Sequence, residues 1–133
     1  MKRLLELGLR GPEEHEAIWD DLYAGQHYDR DGEPLTMRQW GMLMEDPEYQ
    51  VLKQDHVGPY FVSTVWLGID HGFHSPWFDA GNYRPIIFET MVFKEEGDEH
   101  EGVETERYAT EAQAFAGHER LCAEVRLILE ATT

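Results

Sequence analysis

The chain has little positive charge. Its 11 Lys and Arg residues stand against 27 Asp and Glu residues, which gives a formal net charge of −16 over 133 residues. Proteins hold nucleic-acid backbones and anionic lipid surfaces with Lys and Arg. We therefore expect no direct binding to DNA, RNA or a membrane. The same charge is compatible with a merely solvated surface or with a surface that binds a basic protein.

Cysteine and long apolar runs are also scarce. Cys122 is the single cysteine, so no internal disulfide can form and nothing indicates an oxidising compartment. No window approaches the roughly 18 apolar residues of a membrane span. These features predict a cytoplasmic protein.

The common motifs of nucleotide and metal enzymes are missing. The sequence has no glycine-rich phosphate loop, no nucleophile elbow and no paired-cysteine metal motif. This disfavours dinucleotide and nucleotide-hydrolase chemistry. It favours a protein without catalytic residues and without a cofactor.

Apolar material is sufficient for one core. Hydrophobic residues make up 41% of the chain and aromatic residues 12%, too much for a disordered protein. We expect a single domain over residues 1–133. The acid-rich stretch 95–106 is the exception, and it is predicted to be a flexible loop.

Three helix starts can be recognised. Gly11-Pro12-Glu13 predicts a helix over about 12–24. Thr36 with Gln39 and Thr110 with Gln113 are capping boxes, in which each side chain bonds the other residue's backbone N–H. The first box predicts a short helix and the second a long helix over about 111–130.

Strand patterns lie between these helices. The segments 48–54, 60–69, 85–94 and 105–108 are rich in aromatic and β-branched residues or alternate in polarity. The order predicts an α+β fold, an antiparallel sheet of about four to six strands. An N-terminal helix, a short middle helix and a long C-terminal helix would pack on it.

Alternation along the central strands predicts which face is buried. The expected core face carries Phe61, Val65, Leu67, Ile69, Ile86, Phe88 and Val92. The opposite face carries Trp66, Met91 and Phe93, which are too apolar to stay bare. A second helix or a subunit partner is expected to cover it, so a homo-oligomer is one of the readings.

The densest polar cluster follows the strongest predicted strand. Its candidates for a metal site are Asp70, His71, His74 and Asp79, since imidazole and carboxylate suit zinc, manganese or iron(II). The spacing lacks a metalloprotease motif, which favours a hydrogen-bonded structural loop. A partner-binding loop anchored by Trp77 is the third alternative.

Isolated titratable residues within apolar patterns are expected to be structural. Glu89 on its strand suggests a general base, but a pair with Arg84 or Arg107 is the favoured interpretation. His118 and Cys122 lie on the apolar side of the last predicted helix. We expect both to be core residues.

The acidic residues concentrate in two segments. One is the helix face formed by Glu13, Glu14, Glu16, Asp20 and Asp21, and the other is the stretch 95–106. Carboxylates on an ordered surface can imitate nucleic-acid phosphates and bind Lys and Arg. A solvated helix face and loop explain the same residues without a partner.

Three segments of the sequence resemble a known group of proteins. They are 62–71 (VSTVWLGIDH), 87–93 (IFETMVF) and 106–111 (ERYATE). Over roughly 28–119 the chain resembles small accessory proteins of uncharacterised function from actinobacterial phages and prophages. The resemblance implies a host-cytoplasmic protein whose expected partner is a host or defence protein; it assigns no functional residues.

The leading hypothesis is a non-enzymatic protein that binds a basic partner through its acidic surface, as a nucleic-acid mimic would. Its partner-binding residues would be the five helix acids, with His71 and Trp77 as secondary candidates. The alternatives are a metal-binding module or metal-dependent enzyme that uses Asp70, His71, His74 and Asp79, and a homo-oligomeric structural protein.

Overall fold

The computed structural model describes residues 27–72 and 84–132. The helices are α1 (Met37–Met44), α2 (Pro47–Gln50) and α3 (Glu111–Ala131); the strands are β1 (Val51–Val57), β2 (Tyr60–Trp66), β3 (Phe88–Glu96) and β4 (Glu99–Tyr108). The strands form one antiparallel sheet in the order β1-β2-β3-β4. The predicted α+β class is confirmed. The helix predicted over about 12–24 lies outside the described residues.

Both predicted capping boxes are present. The Thr36 hydroxyl accepts from the Gln39 backbone N–H, and the Gln39 side chain accepts from the Thr36 N–H. Thr110 and Gln113 make the same reciprocal pair at the start of α3. Each box satisfies two backbone donors that an α-helix otherwise leaves without partners.

The strand predicted over 48–54 is wrong in its first half. Pro47–Gln50 is a single helical turn with proline at its first position, and the Asp46 side chain accepts from the Glu48 N–H. An aspartate cap followed by proline is a helix start. The strand therefore begins at Val51 and extends to Val57.

The acidic stretch 95–106 is a β-hairpin, so the predicted loop is wrong. β3 continues to Glu96, Gly97 turns with a φ of 60°, and β4 begins at Glu99. Glu95 pairs with His100 across the ladder. Glycine permits the positive φ that a two-residue turn needs, and this turn signal outweighs the density of charge.

The helix α3 covers the face of β2 opposite to the one predicted. Val62, Thr64 and Trp66 are buried, whereas Phe61 and Val65 are only partly buried on the other face. The prediction of a buried Phe88 and Val92 on β3 is confirmed. Val62 pairs with Val92 and Trp66 with Phe88, and directly paired residues share a face, so the predicted register was displaced by one residue.

The core under α3 has two apolar clusters. One holds Val57, Val62, Val92, Leu121, Cys122 and Val125. The other holds Trp66, Ile87, Phe88, Tyr108 and Ala114 and receives partly buried side chains of α1 and α2. Trp66 is fully buried and its indole N–H donates to the Tyr28 carbonyl, so it is not available to a subunit interface. Within the described residues, no helix combines the length and the apolar character needed to cross a membrane.

Candidate functional site

Most residues of the sequence-predicted sites lie outside the described part of the chain. These are Glu13, Glu14, Glu16, Asp20, Asp21, His74, Trp77 and Asp79. Of the polar loop, the structure describes Asp70 and His71. Asp70 Oδ1 accepts from the backbone N–H groups of Gly72 and Ile86, each at 2.8 Å, which is the work of a loop-fixing carboxylate. His71 is an exposed residue.

Glu89 forms the ion pair that the structural interpretation predicts. Its Oε2 lies 3.0 Å from Arg107 Nε, directly across the β3–β4 ladder. The side chain of Glu89 is largely covered while that of Arg107 is about half exposed. A cross-strand pair of opposite charge accounts for this acid without catalysis.

The β3–β4 hairpin carries an ordered row of carboxylates along one edge of the sheet. β4 is the terminal strand, and its residues from Glu99 to Thr105 are all exposed. On the face that α3 covers, the ladder places the acids Glu96, Glu99, Glu101, Glu104 and Glu106. Alternate residues of a strand lie roughly 6.8 Å apart, which is the spacing within the pairs Glu99/Glu101 and Glu104/Glu106; the register shift at Val103 separates the two pairs, and Glu96 faces Glu99 from β3. We call this set the acidic edge.

Ion pairs neutralise only part of the acidic edge. Glu96 pairs with Lys94 at 3.1 Å, and Glu106 pairs with Arg120 of α3. Among the described residues, Glu99, Glu101 and Glu104 form no ion pair. The middle of the edge therefore keeps negative charge without an ion pair, although the Lys94 ammonium lies across the ladder from Glu101 and attracts it.

An apolar groove of about 260 Å³ runs beside the acidic edge, between α3 and the β3–β4 hairpin. Its lining comprises Tyr60, Val92, Val103, Glu104, Leu121, Glu124, Val125 and Ile128. Val103 and Ile128 are 47% and 56% exposed. Glu104 and Glu124 are the acids of this lining, and Glu124 pairs with Arg120 at 3.0 Å, so Glu104 supplies the negative charge that borders the apolar surface.

A second polar constellation is buried between α3 and the sheet. His118 of α3 is completely buried, with Nε2 2.7 Å from Asp55 Oδ2 and Nδ1 2.6 Å from the Thr64 hydroxyl. The Thr64 hydroxyl also bonds that of Thr90, its cross-strand partner. The chain from Asp55 to Thr90 forms a layer between the two apolar clusters.

The proton positions in this layer follow from the donors available. A carboxylate only accepts, so His118 Nε2–H donates to Asp55. In a neutral ring Nδ1 then accepts from Thr64, and Thr64 accepts from Thr90. The hydrogen bond that Asp55 accepts from His118 holds the pKa of the Asp55 carboxyl below its ordinary value.

The order Asp–His–Thr has the hydrogen-bond logic of a nucleophilic triad, but its burial argues against that chemistry. Thr64 and Thr90 are 0% exposed, so no substrate can reach either hydroxyl. The arrangement satisfies the core polar groups and attaches α3 to the sheet. The expectation that His118 and Cys122 are core residues is confirmed.

Two features of these sites do not follow from the sequence pattern. Asp55 has no evident connection with His118, because 63 residues separate them and only the sheet register turns Asp55 toward α3. The acidic edge falls in the stretch predicted as a loop. The dipeptide Gly97-Asp98, which lies between the predicted strands 85–94 and 105–108, is the turn signal that could have revealed the hairpin.

Comparisons with protein-family models, with curated proteins and with solved structures return no match to this chain.

Proposed function

We propose that the protein is a non-enzymatic binding protein whose acidic edge and adjoining groove contact a basic, amphipathic surface of another protein. The observation that carries the proposal is the row of carboxylates on an ordered, exposed edge strand next to an apolar groove. Apolar contact supplies affinity at such a surface, and the charges supply specificity and speed of association.

Charge selects the partner. Glu99, Glu101 and Glu104 lack ion pairs with described residues, so Lys and Arg of a partner can approach them without displacing an existing pair. A groove that holds a nucleic-acid backbone presents such cations. The protein would then compete with nucleic acid for the basic groove of its partner. In the context of the phage resemblance the partner is a host or defence protein.

The apolar groove narrows the partner further. Val103 and Ile128 are exposed branched side chains on either side of the groove. A protein that competed with nucleic acid by charge alone would not need exposed apolar side chains at this surface. The partner segment therefore carries apolar side chains among its basic residues, as an amphipathic helix or strand does.

Protection of the edge strand would account for the same acids without a partner. Natural sheets place charges and bulges on edge strands to prevent pairing with other chains, and β4 has both the acids and a register shift opposite Val92 and Phe93. Edge protection predicts self-association, rather than loss of a partner, when the charges are removed.

The experiment compares three forms of the protein as bait in a lysate of actinobacterial cells. The test variant is Glu99→Gln/Glu101→Gln/Glu104→Gln, and the matched control, Glu33→Gln/Glu45→Gln/Glu48→Gln, removes equal charge from exposed positions elsewhere. We expect wild type and control to retain one partner at about 50 mM salt and release it at about 200 mM. The test variant should bind it roughly tenfold more weakly.

Two further measurements make the result specific. DNA should compete with the wild-type protein for the captured partner, and Ile128→Ser should weaken capture without changing its salt dependence. Equal capture by the test and control variants would contradict the proposal. Self-association of the test variant in size-exclusion chromatography, with no partner lost, would establish edge protection instead.

A further inference from the structure

We propose that Asp55, His118 and Cys122 form a zinc-binding site between β1 and α3. One donor atom of each residue lies within 4.8 Å of the other two. Carboxylate oxygen, imidazole nitrogen and thiolate sulfur are the three donor types that proteins use for zinc. The site is separate from the polar loop at Asp70 and from the acidic edge.

Regular structure fixes all three ligands. His118 and Cys122 are four residues apart on α3, so their side chains lie on the same helix face one turn apart. Both are buried toward the sheet. Asp55 pairs with the buried Val62, which places Asp55 on the face that α3 covers. Ligands on a helix and a strand hold a metal more firmly than ligands on loops.

The separations are close to those of a coordinated metal. Zinc bonds of 2.0–2.3 Å in a tetrahedron place ligand atoms roughly 3.3–3.8 Å apart. The donor atoms of the three residues lie up to 4.8 Å apart, so the widest separation has to shorten by about 1 Å when zinc binds. The hydrogen bond of 2.7 Å between His118 Nε2 and Asp55 Oδ2 has to open, and zinc takes the place of its proton.

The buried threonines supply the support that a histidine ligand needs. A metal-bound imidazole donates its other ring N–H to a second group, which fixes the ring. With zinc on Nε2, the Nδ1–H of His118 donates to the Thr64 hydroxyl, which in turn donates to Thr90. The Tyr108 hydroxyl lies near Thr90, is buried and has no hydrogen-bond partner of normal geometry among the described residues. It can accept from Thr90 after the reversal.

The exposure of Asp55 gives a cation access to the site from the β1 side. The Asp55 side chain is 38% exposed, whereas His118 and Cys122 are buried, so the fourth coordination position faces solvent and takes water. Two cations lie near the site: the Lys53 ammonium, which is already paired with Glu119, and the Arg126 guanidinium, whose charge acts on both Asp55 and Cys122. Binding releases the Cys122 thiol proton to solvent and moves the proton of His118 from Nε2 to Nδ1.

The test uses untagged, metal-free protein with zinc in calorimetry and cobalt(II) in absorption spectroscopy. We expect one equivalent of zinc to bind, and one equivalent of cobalt(II) to give a thiolate-to-cobalt charge-transfer band in the near ultraviolet. Cys122→Ser should abolish the band and weaken zinc binding at least tenfold. Asp55→Asn, at a partly exposed position, should also weaken zinc binding while the band persists.

Control variants distinguish this site from zinc binding at surface histidines. His71→Gln and His56→Gln remove exposed imidazoles elsewhere and should leave zinc binding unchanged. Thermal unfolding of each variant without metal establishes that it is folded. Zinc binding that survives in folded Cys122→Ser, or that disappears in His71→Gln, overturns the proposal, as does the absence of binding to folded wild type. None of these results depends on capture of a partner at the acidic edge.

Discussion

The two faces of the sheet reverse the usual relation between polarity and burial. Under α3, the polar residues Thr64, Thr90 and His118 are completely excluded from solvent. On the other face, Phe61 and Phe93 stack with ring centroids 6.4 Å apart and are only partly buried. Side-chain polarity alone would assign these positions the other way round.

Hydrogen-bond partnership explains the difference. Asp55, Thr64, Thr90 and His118 each have a partner on a different element, so burial leaves the threonine hydroxyls and both ring nitrogens of His118 satisfied. A satisfied polar layer costs little to bury, and it specifies how the helix docks because other registers break it. On the opposite face, His56 is exposed and pairs with Glu95 at 3.3 Å.

The largest expected effect comes from His118→Ala. The change leaves a cavity in the core and removes the partner of both Thr64 and Asp55, so we expect a loss of about 3–4 kcal/mol in the free energy of unfolding. Urea denaturation measures it. His56→Ala on the opposite face is the matched control and should change stability by less than about 0.5 kcal/mol. Equal losses in the two variants would abolish the distinction between the faces.

A smaller effect is expected from Gly117→Ala. A Cβ at residue 117 would overlap the Tyr108 hydroxyl and ring, so α3 has to move away from β4. We expect a net loss of about 1–2 kcal/mol, because overpacking outweighs the better helix propensity of alanine.

Gly102→Ala is the control for this substitution. Its Cβ would meet only Met91 Cε, at an ordinary contact distance of 3.5 Å. Thermal or urea unfolding should place Gly102→Ala within about 0.5 kcal/mol of wild type. A Gly117→Ala protein as stable as wild type would show that the contact between α3 and Tyr108 is looser than described.

The smallest effect is expected from Phe93→Thr on the open face. Threonine keeps the strand preference of the position, and the lost stacking on Phe61 involves side chains that are already partly hydrated. We expect a loss of about 1 kcal/mol or less in urea denaturation. A loss as large as that of His118→Ala would mean that this face is a second core.

Local signals in the sequence predicted the elements better than their faces. The capping boxes at Thr36 and Thr110 predicted the starts of two helices, and both are confirmed, because a cap depends only on residues three positions apart. The displaced register on β2 shows the limit. When a strand has apolar residues on both faces, its sequence does not indicate which face is buried. On side-chain polarity alone Phe61 is a better core candidate than Thr64, but Thr64 is the residue that is buried.

The sites show the same limit. The acids of the hairpin are evident in the sequence, but their alignment on an edge strand depends on pairing with β3. Asp55, His118 and Cys122 are ordinary residues in the sequence, and none of them indicates a site alone. Their proximity exists only after β1 and α3 pack on each other.

By itself, the sequence determined the α+β class, the bounds of α3 to within one or two residues and the excess of acid, since these depend on composition and on neighbours along the chain. Only the tertiary structure decided which sheet face α3 covers and which acids share an edge. It also decided that His118 is satisfied by Asp55 and Thr64. The reason is that register and hydrogen-bond partnership join residues far apart in the chain, where no local pattern connects them.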